Sequence, residues 1–193
     1  MSTDDLELAR AKRGDRAAME TLLRRHYDTV RAVCHRIIIN GADADDAVQM
    51  AMIQIVRALP SFDGRSSLST WIYRIATNAA LDELRRMRRR PIPHADDLPE
   101  PTVDDATSAV DDQMAVVAAL ARVPVEFRVV LVLRHVADLD YEDIARVLDV
   151  PVGTVRSRLS RARAHLASAL GNHPHPGRRH TPQSSTDESD GAP

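Results

Sequence analysis

The sequence predicts an all-α fold in which two small helical domains are joined by a flexible acidic linker, and three observations predict it. Apolar residues recur every three or four positions through most of the chain, the period of a helix that buries one face. Aromatic residues make up 3% of the 193 against 44% hydrophobic overall, so the cores must be built from Leu, Val, Ile, Ala and Met, which favours helix packing over sheet. Residues 91–108 break the period: Pro91, Pro93, Pro99 and Pro101 stand among Asp96, Asp97, Glu100, Asp104 and Asp105, a composition that neither sustains a helix nor supplies a core. The chain thus divides into a first domain over 1–90, the linker over 91–108, a second domain over 109–171, and a tail over 172–193 that lacks apolar periodicity and is expected to be disordered.

The first domain reads as four helices. The first begins near Asp4, with Leu6 and Leu8 ahead of a break at Gly14-Asp15 that ends it and caps the next. A long helix follows, its apolar face running through Met19, Leu22, Leu23, Tyr27, Val30, Val33, Cys34, Ile37 and Ile38 to a stop at Asn40-Gly41. From Asp43 a third stripe carries Val48, Met52, Ile55 and Leu59 as far as Pro60, and leaves Asp45, Asp46, Gln49 and Arg57 outside it. Beyond the loop Phe62, Asp63, Gly64, Arg65 and Ser66, a fourth helix starts near Leu68 with Trp71, Ile72, Ile75 and Ala79 on one side. It ends in Arg85, Arg86, Arg88, Arg89 and Arg90, positive charge that suits a helix C-terminus.

The second domain opens near Ala109 with a helix through Met114, Val117 and Leu120. Pro124 fits the first position of the next, which carries Phe127, Val130, Leu131 and Leu133. A short helix from Tyr141 to Leu148 runs into Asp149-Val150-Pro151, and Thr154 can cap a last helix that reaches about Leu170.

The formal net charge of −2 conceals a sorting into blocks. No Lys or Arg lies between Arg90 and Arg122, where the acids accumulate, and no acid lies between Asp149 and Asp187, where Arg156, Arg158, Arg161 and Arg163 stand. Two basic surfaces flanking an acidic strap are expected of a protein that meets polyanions at two places. The one cysteine, Cys34, sits on an apolar stripe, so no internal disulfide forms and a buried, inert thiol in a reducing compartment is expected. The N-terminus shows no basic segment followed by an apolar one, and no stretch approaches the roughly 20 apolar residues of a membrane span, so a cytoplasmic protein with no direct membrane insertion is expected.

Tyr141 to Leu159 has the plan of a helix, a tight turn and a second helix, the helix-turn-helix of DNA-binding proteins. Ala145 permits the two helices to approach. At about 100° per residue, Val155, Leu159, Ala162 and Leu166 point inward while Arg156, Ser157, Ser160, Arg161 and Ala164 point outward. That outward face is small, polar and cationic, and suits a major groove in which arginine pairs with guanine edges or phosphates, with the helix N-terminus at Gly153 and Thr154 against a phosphate. A basic helix alone would be read as an ordinary solvated surface; the preceding helix, the turn and the lack of acids favour DNA.

On these residues Tyr141 to Leu166 resembles the promoter minus-35 reading region of the extracytoplasmic-function sigma factors, the group IV members of the sigma-70 family. Asp45-Asp46 followed by Gln49 resembles the family's polymerase-binding helix, and Ser69 through Trp71 to Asn78 its minus-10 reading helix, so the likeness spans roughly residues 4–170. The resemblance implies a sigma-2 domain followed by a sigma-4 domain, with Asp45, Asp46 and Gln49 on the clamp helices of core RNA polymerase and the second domain on its flap tip. Met50 stands where the family usually has Glu. Asn78, with the loop Phe62, Asp63, Gly64, Arg65 and Ser66, would hold a flipped minus-10 base, and Arg85, Arg86, Arg88 and Arg89 would follow upstream promoter phosphates. It also implies control by an anti-sigma factor and a stress or envelope regulon. The acidic linker would thread the polymerase cleft in imitation of nucleic acid and, folded back on the arginines, discourage the free chain from binding DNA.

No nucleophile and base pair, glycine-rich phosphate loop or paired-carboxylate site is present, so no enzyme and no cofactor is expected. His173, His175 and His180 lack ligand partners at metal spacing, and no metal is expected. Two other classes stay open on the residues. A free-standing helix-turn-helix regulator would need neither the Asp45 to Gln49 surface nor the Asn78 pocket, and a protein that sequesters another regulator would not need two separated arginine faces.

Overall fold

The computed structural model describes residues 3–89 and 108–171, which form eight α-helices and one 3₁₀ turn. The acidic residues read as a linker, the histidines of the tail and Arg90 lie outside the described residues. Helix α1 is Thr3–Lys12, α2 Arg16–Ile38, α3 Gly41–Ala58 and α4 Leu68–Arg89, with the 3₁₀ turn Leu59–Ser61 between the last two. The second domain holds α5 Ser108–Arg122, α6 Val125–His135, α7 Tyr141–Leu148 and α8 Val152–Gly171.

In the first domain α2, α3 and α4 pack pairwise around a core of Val30, Val33, Cys34, Ile37, Ala44, Ala51, Ile55, Ile72, Ala76 and Ala80, each essentially out of solvent. The alanines of α3 and α4 let the helix axes close in, and Ile37, Ile55 and Ile72 fill what remains. Asp15 caps α2 as expected: its carboxylate accepts from the backbone N–H of Ala17 at 3.0 Å and of Ala18 at 3.1 Å and pairs with Arg10 at 2.7 Å. The Ala18 hydrogen bond, then Arg10, hold this carboxyl below its usual pKa range. Cys34 is fully buried, its Sγ 3.8 Å from the Ala76 carbonyl oxygen, and burial pushes the thiol up to about 12.

Four local details differ from the sequence reading. Helix α2 is ended by Ile39 at φ 72°, whose N–H donates to the His35 carbonyl, while Asn40 caps α3 through Ala42 and Gly41 is already helical. The Asn-Gly pair therefore starts a helix, because an Asn side chain satisfies a free N–H better than Gly relieves one strained residue. Tyr27 stands at the edge of the stripe, 42% exposed, and it is His26 whose ring meets Tyr73 edge-on at 6.2 Å. Pro124 holds the cap position of α6 with ψ 143°, just outside the helix. Helix α8 starts two residues before Thr154, because the Pro151 carbonyl accepts from the N–H of Thr154 at 2.8 Å and of Val155 at 3.3 Å.

In the second domain α8 packs on α5, α6 and α7. Phe127 of α6 stacks on His165 of α8 with centroids 5.2 Å apart. Helix α6 is buried over seven consecutive residues, Phe127 to Leu133, which no helix with one covered face can show. Its other side is covered by α2 of the first domain, and α4 packs against α7, so both domains share one continuous apolar core. Arg128 of α6 is buried at 7% exposure; its Nε has no hydrogen-bond partner, and burial lowers its pKa.

Two outcomes follow. A maleimide leaves Cys34 unlabelled in the folded chain at neutral pH and labels it fully in denaturant; fast native labelling would contradict the burial. Arg128→Leu removes a buried charge without a partner at Nε and keeps the apolar stem, so it raises the stability of the free chain by about 1–2 kcal/mol in urea unfolding. A loss of stability would show that the guanidinium is satisfied.

Candidate nucleic-acid and docking interfaces

The turn between α7 and α8 is built residue by residue. Asp140 caps α7 by accepting from the Asp143 N–H at 2.7 Å, and Asp149 ends it in the left-handed region at φ 53°. The Val150 N–H then donates to the Ala145 carbonyl at 3.1 Å, and Pro151, which has no N–H to satisfy, admits the chain to α8. Ala145 and Ile144 are buried against α8, whose inner side is Val155, Leu159 and Ala162. Its outer side presents Gly153, Arg156, Ser157, Ser160 and Arg161 to solvent, with Thr154 half-buried. The Ser157 hydroxyl donates to the Thr154 carbonyl at 3.0 Å, and neither Arg156 nor Arg161 has an ion pair among the described residues. Arg158, between them in sequence, faces the first domain and lines a cavity of about 470 Å³ with Leu81 and Arg88 of α4 and Val125, Glu126 and Val129 of α6.

A second cavity, of about 440 Å³, is formed by the loop after the 3₁₀ turn: Phe62, Asp63, Arg65 and Ser66 with Thr70, Trp71 and Arg74 of α4. Gly64 turns the loop at φ 75°, a conformation L side chains rarely adopt, while Asp63 accepts from the Arg65 N–H at 3.1 Å and pairs with its guanidinium at 3.0 Å. Phe62 is the loop's anchor, buried beside Trp71 at 5.2 Å, with its carbonyl accepting from Lys12 Nζ at 2.6 Å. Gly64 opens on a neighbouring groove with Ser66 and Ser67. Asn78 is exposed one turn beyond Arg74 on the same side of α4 and does not line the loop cavity, whose far wall is Arg146 and Val147 of α7 and Asp149 after it. The structure thus brings the loop residues together and leaves Asn78 beside them. Arg74, which the sequence reading did not single out, occupies the expected place; its position one turn before Asn78 and one after Trp71 was the available signal.

Asp45, Asp46, Gln49 and Met50 share the exposed face of α3. That face continues as Ile53 and Val56, so Met50, Ile53 and Val56 form an apolar ridge 49%, 36% and 40% exposed beside the two acids. The sequence stripe of Val48, Met52, Ile55 and Leu59 drew attention from this second apolar line, which the i, i+3, i+6 spacing carries. Both carboxylates are held by neighbours: Asp45 by His35 Nε2 at 2.8 Å from α2, Asp46 by Arg86 Nη2 at 3.1 Å from α4. Arg86 also meets Glu83 at 2.8 Å, while Arg85 pairs with Asp82. Arg88 and Arg89 are exposed with no ion pair among the described residues.

Such an arrangement offers cationic faces, an acidic and apolar face and two shallow cavities. Among the described residues no cluster of His, Cys, Asp or Glu could hold a metal ion, and no helix is long and apolar enough to cross a membrane.

Comparison with known proteins agrees on both halves. Residues 22–90 match the family model of sigma-70 region 2, and residues 113–166 that of sigma-70 region 4. The chain is 40% identical over 158 residues to the ECF RNA polymerase sigma factor SigM of Mycobacterium tuberculosis, covering 82% of this chain and 80% of that one. It is 35% identical to the ECF RNA polymerase sigma-E factor of Escherichia coli, covering 83% and 91%. Among solved structures it is similar to CnrH in its complex with the cytosolic domain of CnrY, at a TM-score of 0.68 and 25% identity over 88% of this chain and 98% of that one. The sigma factor RpoE of Bartonella quintana, bound to the anti-sigma factor NepR, shares the fold at a TM-score of 0.65 and 22% identity, covering 79% and 96%. Two region matches in the right order, relatives alike over four fifths of the chain and the same helical arrangement lead to one conclusion: this chain belongs to the extracytoplasmic-function sigma factors of the sigma-70 family.

Proposed function

We propose that this sigma factor docks on core RNA polymerase through α3, reads and opens the minus-10 element with the loop after α3 and with α4, and reads the minus-35 element with α8. The observation that carries this reading is that α3, α4 and α8 each present exposed polar or charged side chains the core does not use, and that their charges differ by task. The α3 face is acidic and apolar, suited to a protein surface that is basic with an apolar patch; the faces of α4 and α8 are cationic, suited to DNA.

In the first domain Asp45, Asp46 and Gln49 make the polar docking contacts, and Met50, Ile53 and Val56 extend them with an apolar ridge. Phe62, Asp63, Gly64, Arg65 and Ser66 shape the pocket for an unstacked base, Asn78 hydrogen-bonds it, and Arg85, Arg88 and Arg89 follow the phosphates upstream. Extracting a base costs a few kcal/mol, offset by pocket contacts and by release of the opened strand onto a basic surface. In the second domain Arg156, Ser157, Ser160 and Arg161 address base edges and phosphates in the major groove, Gly153 and Thr154 place the helix N-terminus on a phosphate, and the flap tip of polymerase is the protein partner. The protein works by recognition and strand opening, not catalysis, with no cofactor, in the cytoplasm. An anti-sigma factor controls it, as NepR is bound to the structural neighbour RpoE, and its regulon answers stress or envelope damage.

Run-off transcription with bacterial core polymerase on pooled promoter fragments tests the reading. New start sites appear with the native chain and are lost with Asp45→Asn combined with Asp46→Asn; DNA binding with no new transcripts would instead identify a free-standing regulator. Arg161→Ala weakens binding of the holoenzyme to its promoter by about 1–3 kcal/mol if it reads a base, and relaxes selection at one minus-35 position. A uniform loss across sequences would make it a phosphate contact.

A further inference from the structure

Arg86 differs from the other arginines at the end of α4. Its Nε lies 2.8 Å from Glu83 Oε2 and its Nη2 3.1 Å from Asp46 Oδ2, so one guanidinium bridges a carboxylate of its own helix to one of α3. Glu83 is 7% exposed, whereas Arg86 and Asp46 are each 55% exposed. The bridge is therefore rooted in the core and reaches outward to the docking face. The Glu83 hydrogen bond, more than Asp46, raises the Arg86 pKa.

We infer that Arg86 is a positioning residue for the polymerase-facing carboxylate Asp46, anchored by Glu83, rather than one of the phosphate-binding arginines; this rests on the reading of α3 as the docking face. Charge supports the assignment. Arg86 has two carboxylates against it, which neutralise its charge and leave it a poor ligand for a phosphate, while Arg88 and Arg89 have no ion pair among the described residues. Geometry supports it as well. The planar fork meets two carboxylates from two directions, which holds Asp46 in one orientation before a partner arrives and removes part of the ordering penalty on docking. An exposed ion pair of this kind is weak enough for Asp46 to be shared with an incoming basic side chain, and Glu83 keeps Arg86 in place when it is. On the opposite flank His35 Nε2 lies 2.8 Å from Asp45 Oδ1.

The test uses the full chain and two readouts: affinity for a bacterial core polymerase that supports run-off transcription with it, and the salt dependence of binding to a short nonspecific DNA duplex. Arg86→Gln weakens core binding roughly three- to tenfold, Asp46→Asn weakens it, and the double variant is no weaker than Asp46→Asn alone. Arg86→Lys keeps the charge without the fork and recovers little, and thermal melts of each variant separate lost fold from lost docking. The slope of log affinity against log salt for DNA stays at the native value in Arg86→Gln, whereas Arg88→Gln lowers it by about one. A lowered slope with native core affinity in Arg86→Gln overturns the inference, as does additivity in the double variant. Native core affinity in Asp46→Asn removes the docking reading itself and the inference with it.

Discussion

Helix α6 has no face to give to water, and the arrangement of the two domains follows from that. Phe127 to Leu133 are buried without interruption, so packing on α8 from one side cannot be enough. Burying a Val or Leu side chain is worth about 1.5–3 kcal/mol, and a helix with apolar residues all round must find cover on every side. In this chain α2 provides it, and α4 meets α7 as a result. The contact that joins the domains is thus set by the composition of one eleven-residue helix.

Separation of the domains is costly in proportion to the valines it exposes, and a partner with an apolar surface can lower that cost by replacing α2. The same packing places α7 across the cavity of the loop at Phe62 to Ser66. Arg146 and Val147 of α7 and Asp149 just after it form one wall of that cavity, so its shape depends on the contact between the domains.

Most of the helices were legible in the sequence because each has an apolar stripe at a helical period, and the turn and inward face of the helix-turn-helix were legible from Ala145, Pro151 and the line Val155, Leu159, Ala162, although α8 begins two residues before the expected cap Thr154. The alternation between exposed Arg156, Ser157, Ser160 and Arg161 and the buried positions matches expectation. The shared core was not legible. Periodicity assigns one buried face to α6 from Phe127, Val130, Leu131 and Leu133, and cannot say that Val129 and Val132 are buried as well on a helix that also packs against α2, a long-range fact. Caps were misjudged where two signals compete: Asn40 and Gly41 can end one helix or begin the next, and only the left-handed Ile39 decides. The ridge of Met50, Ile53 and Val56 was hidden for a similar reason, since α3 carries two apolar lines and composition alone does not tell which one is inside.

Arginine is the residue whose role the sequence least determines, and the structure separates its uses by what stands next to it. Arg156 and Arg161 extend from a helix that contains no acid, so their charge is fully available to a polyanion. Arg65, Arg85 and Arg146 each pair with an aspartate within three residues, an exposed contact weak enough that a phosphate can displace it. Arg86 lies between a buried and a half-exposed carboxylate, and Arg128 is buried with no hydrogen-bond partner at Nε. A row of five arginines at 85–90 looks uniform as a string of letters, yet the i, i+3 spacing to Glu83 and the crossing of α4 over α3 give Arg86 two carboxylates. Local neutralisation therefore separates the arginines that hold the protein's own surface from those with no ion pair among the described residues, and a protein with net charge −2 still presents in α8 a helix that contains no acid.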